Sequence, residues 1–458
     1  MFDANRAVIV ADMIAAPETM IRPMAMPQES QEAPGFPVNP DIDRLTDYPF
    51  ARLRALLDPV APGVTSGAAP GATPVNMSIG EPQHPIPGFA LQAMAAAADG
   101  WNRYPPIPGS EAFRRAAADW LTRRYGAAGA LVDPADGLLA LSGTREGLFL
   151  VSLAFVPASR DGQRPAVLVP NPFYPAYRGG GLLAHADVVP MPCREEDGFL
   201  PDLDRLSPDL LARTAVMFLT HPTNPQGAVT DAGRLAGALR LARRHGFILV
   251  VDECYSEIWD AAPPVGALEA AASLAEGAGG STGGALDNLL VFHSLSKRSN
   301  AAGLRAGFVA GDPRLLALLG RVRSYAAAAM PLPVQAAAAA LWADDAHVEA
   351  NRAAYRAKFD AALDALSPHV PVTRPAAGFF LWLDAGDGVR AAEALWREAG
   401  VRVLPGGYLA LEEERDGARV NPGAPFVRIA LVHEPGVIAE ALGRAAPILA
   451  RIRDETGG

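Results

Sequence analysis

Cysteine is almost absent from this chain of 458 residues: Cys193 and Cys254 are the only two, far apart and without metal-ligand spacing. That excludes a disulfide framework and a zinc site and suits a reducing cytoplasm. Long apolar runs are lacking too. The most apolar stretch, 326–343, is mostly alanine and is broken by Pro331, Pro333 and Gln335, so no membrane-spanning helix is expected. Basic runs do not occur, and a formal net charge of −10 argues against nucleic acid as a partner. The eight histidines show no ligand pairing, so no metal is expected, and there are no internal repeats. Residues 1–40 lack periodicity and are read as an N-terminal extension without fixed order. A signal peptide fits them poorly, because Asp12 interrupts the apolar part and Arg6 is a thin basic region.

Half of the residues are hydrophobic and a fifth are charged, and the length allows two domains with a large core. The segment 292–312, FHSLSKRSNAAGLRAGFVAGD, organises the rest. The apolar run 289–292 before it and Gly307-Phe-Val-Ala after it read as buried strands. A lysine between two such strands is costly unless paired or chemically changed, and condensation with an aldehyde is one such change. Ser294, Ser296 and Arg305 could converge beside Lys297 on an anion such as a phosphate.

Other segments repeat the pattern of a strand delivering a polar loop. LALSGTREGLFL presents the backbone N–H groups of Gly143, Thr144 and Arg145 at a helix N-terminus, where an anion is favoured. AVLVP leads to Phe173 and Tyr174, and AVMFLT leads to a turn at Asn224. Asp252 ends an all-apolar strand, where open α/β sheets place ligand sites, and its carboxylate calls for a cationic partner. In SIGEPQHP, Gly80 lets backbone approach a ligand. Arg428 stands in an apolar strand. A capped helix is expected from Asp41, an amphipathic helix from Phe113, Ala117, Trp120 and Leu121, and a flexible connection over 271–284.

The pattern Ser-x-Ser-Lys followed by Gly-x-Arg resembles the cofactor-lysine segment of the fold-type-I aminotransferases, which bind pyridoxal 5′-phosphate (PLP), and the other motifs fall in that family's order. The resemblance covers roughly 41–449. It implies an α/β fold with a large domain, 79–324, built on a mostly parallel seven-stranded sheet flanked by helices. A smaller α+β domain would come from both chain ends, 41–78 and 325–458. It also implies that Lys297 carries the PLP, that Asp252 faces the pyridine nitrogen, and that Asn224 and Tyr255 reach the 3′-oxygen. Gly143, Thr144, Arg145, Ser294, Ser296 and Arg305 would hold the phosphate, and Tyr174, with Phe173 as fallback, would stack on the ring. Gly80, Asn224 and Arg428 would bind the substrate, Arg428 through its α-carboxylate. Tyr104 would reach the phosphate of a neighbouring subunit, implying a homodimer with shared sites and amino-acid and 2-oxo-acid substrates.

Within the family, long blocks such as SIGEPQHP, NRYPPIPG, LSGTREGLF, PNPFYPAY and VDECYSEIW resemble the proteobacterial succinyldiaminopimelate transaminases. This implies transfer from N-succinyl-LL-2,6-diaminopimelate to 2-oxoglutarate in lysine and diaminopimelate synthesis. Arg298 and Arg103 are the nearest candidates for the donor's distal carboxylate. A transaminase or lyase acting on aspartate, aromatic or sulfur amino acids would keep every cofactor residue. A PLP-binding regulator would need a DNA-binding module, for which the residues before Asp41 are too few and too proline-broken.

Overall fold

The computed structural model describes residues 39–63, 73–277, 284–415 and 417–457. Residues 1–44 and 45–458 form separate units. In the first, the described residues make a turn in which Arg44 pairs with Asp41 at 2.7 Å. The helix expected from Asp41 is shorter than its sequence suggested, spanning Pro49–Leu57. Proline fits its first position but holds Tyr48 extended, at φ −58° and ψ 138°, so the helix cannot begin earlier.

Seven strands form the main sheet: β1 (Leu138–Leu141), β2 (Ala166–Asn171), β3 (Asp187–Pro192), β4 (Thr214–Thr220), β5 (Ile248–Asp252), β6 (Leu289–Ser294) and β7 (Gly307–Gly311). Their spatial order is β1-β7-β6-β5-β4-β2-β3, with β7 antiparallel to both neighbours and the other six running one way. Their apolar runs are continuous because both faces are covered. Leu168, Met217, Leu249 and Leu289 enter one core, whereas Val167, Val216, Val250 and Leu290 enter the other. Burying each such side chain contributes about 1.5–3 kcal/mol.

Four helices position the site or its surroundings: α1 (Thr144–Phe155), α2 (Pro175–Leu183), α3 (Leu295–Arg298) and the long α4 (Ala346–Leu366). Beyond α4, β8 (Phe380–Asp384), β9 (Leu404–Pro405) and β10 (Phe426–Ala430) form an antiparallel sheet in the order β9-β10-β8. Leu381, Leu383, Val427 and Ile429 pack there with Phe359 and Leu366 of α4. Val75 and Met77 join the same core, and Val75 pairs with Val401. The expected connection over 271–284 is also corrected. Its first residues continue a helix, Ala267–Gly277, with Ala270 and Ala271 buried. Alanine is the strongest helix former, and the packing of this face outweighs the small-residue composition; residues 278–283 of that run lie outside the described residues.

Candidate active site

The carboxyl ends of β4, β5 and β6 bring Thr220, Asp252 and Ser294 to one edge of the sheet, where Thr220 and Asp252 are register partners. A cleft of about 530 Å³ opens there. A second hollow of about 520 Å³ shares Thr220 with it but contains none of the expected site residues.

Lys297 lies in α3, directly after β6, and lines the cleft. Ser294 caps this short helix, accepting from Ser296 N at 3.1 Å and donating to Ser296 Oγ at 3.0 Å. The lysine's Nζ donates to the carbonyl of Gly80 and stands 5.3 Å from the Phe379 ring centre. Burial pulls its pKa down to about 8; among its neighbours Cys254 and Glu81 act upward and Arg428 and Arg145 downward. A neutral, nucleophilic amine is therefore available near pH 8.

Asp252 is buried, with Oδ2 accepting from Tyr177 Oη at 2.7 Å and Oδ1 from Cys254 N at 3.1 Å. Burial raises its pKa, and these hydrogen bonds oppose the rise. Both donors are neutral, so the carboxylate favours a cation in the cleft. Asn224 follows β4, and its Oδ1 accepts from Arg428 Nη1 at 3.4 Å. Tyr255, buried beside Phe379 and Phe380, also lines the cleft. Arg428, on β10, is 6 % exposed, donates to Ser78 O at 2.8 Å and lies 4.4 Å from the Phe380 ring centre. Burial lowers its pKa to about 10, which leaves it cationic.

At the other end of the cleft, Gly143 precedes α1 with φ +85°. A Cβ there would meet Nη2 of Arg305 at 2.0 Å, so glycine serves both the left-handed backbone and the approach of the guanidinium. Thr144, Arg145, Ser294, Ser296 and Arg305 line this end. A helix N-terminus, three hydroxyl side chains and two guanidinium groups gathered there suit a phosphate. Together with the lysine and the buried carboxylate, they fit a phosphorylated, cationic aldehyde. Tyr174 also lines the cleft, its Oη accepting from Arg145 Nε at 2.6 Å. Burial raises the tyrosine's pKa to about 12, against the lowering effect of that guanidinium.

The structure thus gathers these sequence-expected residues around one cleft, with Gly80 and Phe173 among the walls. Tyr104 is fully exposed, at 103 %, and does not line the cleft of its own chain. Arg298 is a correction. It is 2 % exposed, donates to Leu341 O at 2.7 Å and Asp345 Oδ1 at 2.8 Å, and lies beside the rings of Trp120 and Trp342. Its guanidinium is spent on structure and is not available to a substrate. Arg103 is exposed and outside this cleft. Sequence reasoning missed Tyr177, whose partner Asp252 comes to it only through the fold. It also missed that Lys297 and Lys358 are the only lysines in the chain. Among the described residues no acidic, His or Cys cluster could hold a metal, and no helix is long and apolar enough to cross a membrane.

Residues 72–444 match the family described as aminotransferase class I and II. An LL-diaminopimelate aminotransferase of Desulforudis audaxviator is 33% identical, with 90% of this chain and 97% of the relative covered. Among solved structures, an aminotransferase from Neisseria meningitidis is 38% identical with TM-score 0.80, covering 89% of this chain and 99% of that one. A probable N-succinyldiaminopimelate aminotransferase from Thermus thermophilus is 29% identical with TM-score 0.71, covering 82% and 95%.

Proposed function

The chain belongs to the class I and II aminotransferases, a PLP-dependent family, and on that footing we propose that it is a transaminase for a diaminopimelate-type donor. The donor we favour is N-succinyl-LL-2,6-diaminopimelate, with 2-oxoglutarate as acceptor. The long sequence blocks and the name of the Thermus relative support it. Free LL-diaminopimelate is the second reading, favoured by the name of the Desulforudis relative.

PLP, when bound, supplies an electron sink for the bond broken at the donor's Cα. The residues of this chain divide the remaining work. Lys297 would hold the cofactor, and its Nζ is the base placed to take the proton from the donor's Cα and return it to the cofactor. Asp252 would keep the pyridine nitrogen protonated, while Asn224 and Tyr255 would orient the 3′-oxygen. Gly143, Thr144, Arg145, Ser294, Ser296 and Arg305 would hold the phosphate, and the Tyr174 ring would pack against the pyridine. Arg428 clamps the α-carboxylate beside Gly80. We place Tyr104 in the site of a second subunit of a homodimer in the cytoplasm. We divide the chain into a large domain, 79–324, and a small one from 41–78 and 325–458.

One observation supports a donor with two carboxylates: a second guanidinium, that of Arg145, lines the same cleft as Arg428. Its Nε is held by Tyr174, which leaves its two terminal nitrogens for a ligand. Losing a charge-assisted hydrogen bond costs about 1.5–3 kcal/mol, or roughly 10- to 100-fold. Arg145→Gln should therefore lower kcat/KM by that factor for both diaminopimelate donors, and much less for alanine, with glutamate formation as the readout. An equal loss for alanine would remove Arg145 from donor selection. Wild-type preference for the free diamine would replace the succinylated donor, and preference for aspartate or an aromatic donor would overturn both readings.

A further inference from the structure

Lys297 is tied to the fold at both its ends through one closed circuit. Its Nζ donates to the Gly80 carbonyl, at the start of the loop that continues to His84. Its own backbone carbonyl accepts from Asn351 Nδ2 at 3.1 Å, and the Arg298 carbonyl accepts from the same nitrogen at 3.3 Å. Asn351 Oδ1 is then left facing Nδ1 of His84, 3.1 Å away. Because the amide nitrogen is committed to two carbonyls, the amide oxygen is the acceptor and His84 Nδ1 carries the hydrogen. The loop from Gly80 to His84 closes the ring.

This circuit ties the lysine segment, the Gly80 loop and α4 together. Asn351 is 5 % exposed on α4, the helix whose later turns enter the core of the small antiparallel sheet. The start of α4 grips the lysine segment twice more: Asp345 Oδ1 accepts from Arg298, and His347 Nε2 lies 2.8 Å from Ser299 Oγ. His84 also packs against Tyr355, with ring centres 5.5 Å apart, and Tyr355 stacks on Phe379, the ring beside Lys297 Nζ. A buried amide with both its polar atoms engaged fixes the positions of what it bonds.

We propose that Asn351 and His84 are positioning residues for Lys297: the Asn351 amide sets the backbone from which the lysine projects, and His84 locks that amide to the loop that receives the lysine's Nζ. The proposal rests on the reading of Lys297 as the cofactor lysine. Protonating His84 leaves the link intact, because Nδ1 carries its hydrogen in both forms. A change in the acid–base behaviour of the site therefore reports on Lys297 and not on the histidine. Cys254, Glu81, Arg428 and Arg145, which act on the lysine's charge, stay unaltered when only His84 or Asn351 is replaced.

The experiment uses full-length protein reconstituted with PLP and follows two quantities: the pH midpoint of the absorbance change of the bound cofactor, and kcat and KM separately. Borohydride reduction of wild type and Lys297→Ala comes first; cofactor fixed on the Lys297→Ala chain would overturn the parent reading and leave the positioning claim without a subject. With that control passed, His84→Phe keeps a ring beside Tyr355 and removes the donor. Asn351→Leu, of similar size, removes the two donations to the lysine segment without adding a charge. Each should shift the midpoint and lower kcat by about five- to tenfold with KM changed less, the size expected for one buried hydrogen bond. His84→Asn, which places an amide N–H at the same bond distance as Nδ1, should restore both quantities towards wild type. An unshifted midpoint and unchanged kcat in His84→Phe overturns the proposal. So does failure of His84→Asn to differ from His84→Phe, because packing alone would then account for the histidine.

Discussion

Lys297 and Lys358 are the only lysines of the chain, so nearly all of the forty basic residues are arginine. Arginine keeps its charge under any physiological condition, whereas an amine can be pushed to neutrality by burial. Both lysines show this. Lys358 on α4 is 0 % exposed, and its Nζ donates to Val432 O at 2.7 Å. Burial lowers its pKa from 10.5 to about 8, with Glu434 acting the other way. Below the folded value the amine is charged in both states, and the full cost of burying the charge is present. Between about 8 and 10.5 the unfolded chain binds the extra proton, so the lysine's contribution to stability improves as pH rises. Buried cysteines and tyrosines with raised pKa values act oppositely at high pH, so a comparison with Lys358→Met is needed to isolate the effect. From pH 7 to pH 10.5, the stability difference between wild type and Lys358→Met should move towards wild type by on the order of 3 kcal/mol. Denaturant unfolding of the cofactor-free proteins measures it, and a difference that stays flat with pH would show that Lys358 is not held as a buried cation.

At the scale of elements, the strand-to-helix junctions build the site, and they differ in how far sequence announces them. The strands β4, β5 and β6 are unbroken apolar runs ending in polar residues, and such runs are legible because both faces of the sheet are buried. Gly143 was legible as a turn, but its second duty was not. Only the fold brings Arg305, from the far side of β6 and α3, into the space a Cβ would fill. Tyr177, Asn351 and His84 were unreadable for the same reason: each acts through a partner between 54 and 267 residues away in sequence. The opposite error occurred at Arg298, whose place beside Lys297 suggested a ligand role. Adjacent residues on a helix point in different directions, and its side chain runs into the Trp120 and Trp342 layer. The Gly143 junction can be tested alone. In Gly143→Ala the backbone keeps its positive φ, with ψ 147°, at a cost of about 1–3 kcal/mol, while the new methyl displaces the flexible tip of Arg305. Affinity for PLP, measured by fluorescence titration of the cofactor-free protein, should fall at least tenfold, beyond what the stability loss explains. Affinity within twofold of wild type would show that Arg305 does not hold the phosphate.

On the scale of the whole molecule, what stands out is a residue that its own cleft does not use. Tyr104 is fully exposed, and Tyr325, with 91 % of its surface free, is likewise uncovered, although large aromatic side chains gain most from burial. The proposed homodimer gives Tyr104 a place: the phosphate end of the neighbouring cleft. That arrangement makes a prediction independent of any substrate. Lys297→Ala has no cofactor lysine but an intact Tyr104, and Tyr104→Ala has the lysine but not the tyrosine. If the tyrosine serves the partner, a mixed dimer has one site with both defects and one site with neither. Equal mixing with random exchange yields mixed dimers in about half of the population, so roughly a quarter of all sites regain full activity. If the tyrosine serves its own chain, each site of the mixed dimer keeps one defect and mixing restores nothing. Mass-tagged subunits verify the exchange, and transaminase activity after re-equilibration decides between the two. Recovery towards a quarter of wild type establishes the shared site, while verified exchange without recovery places Tyr104 outside it.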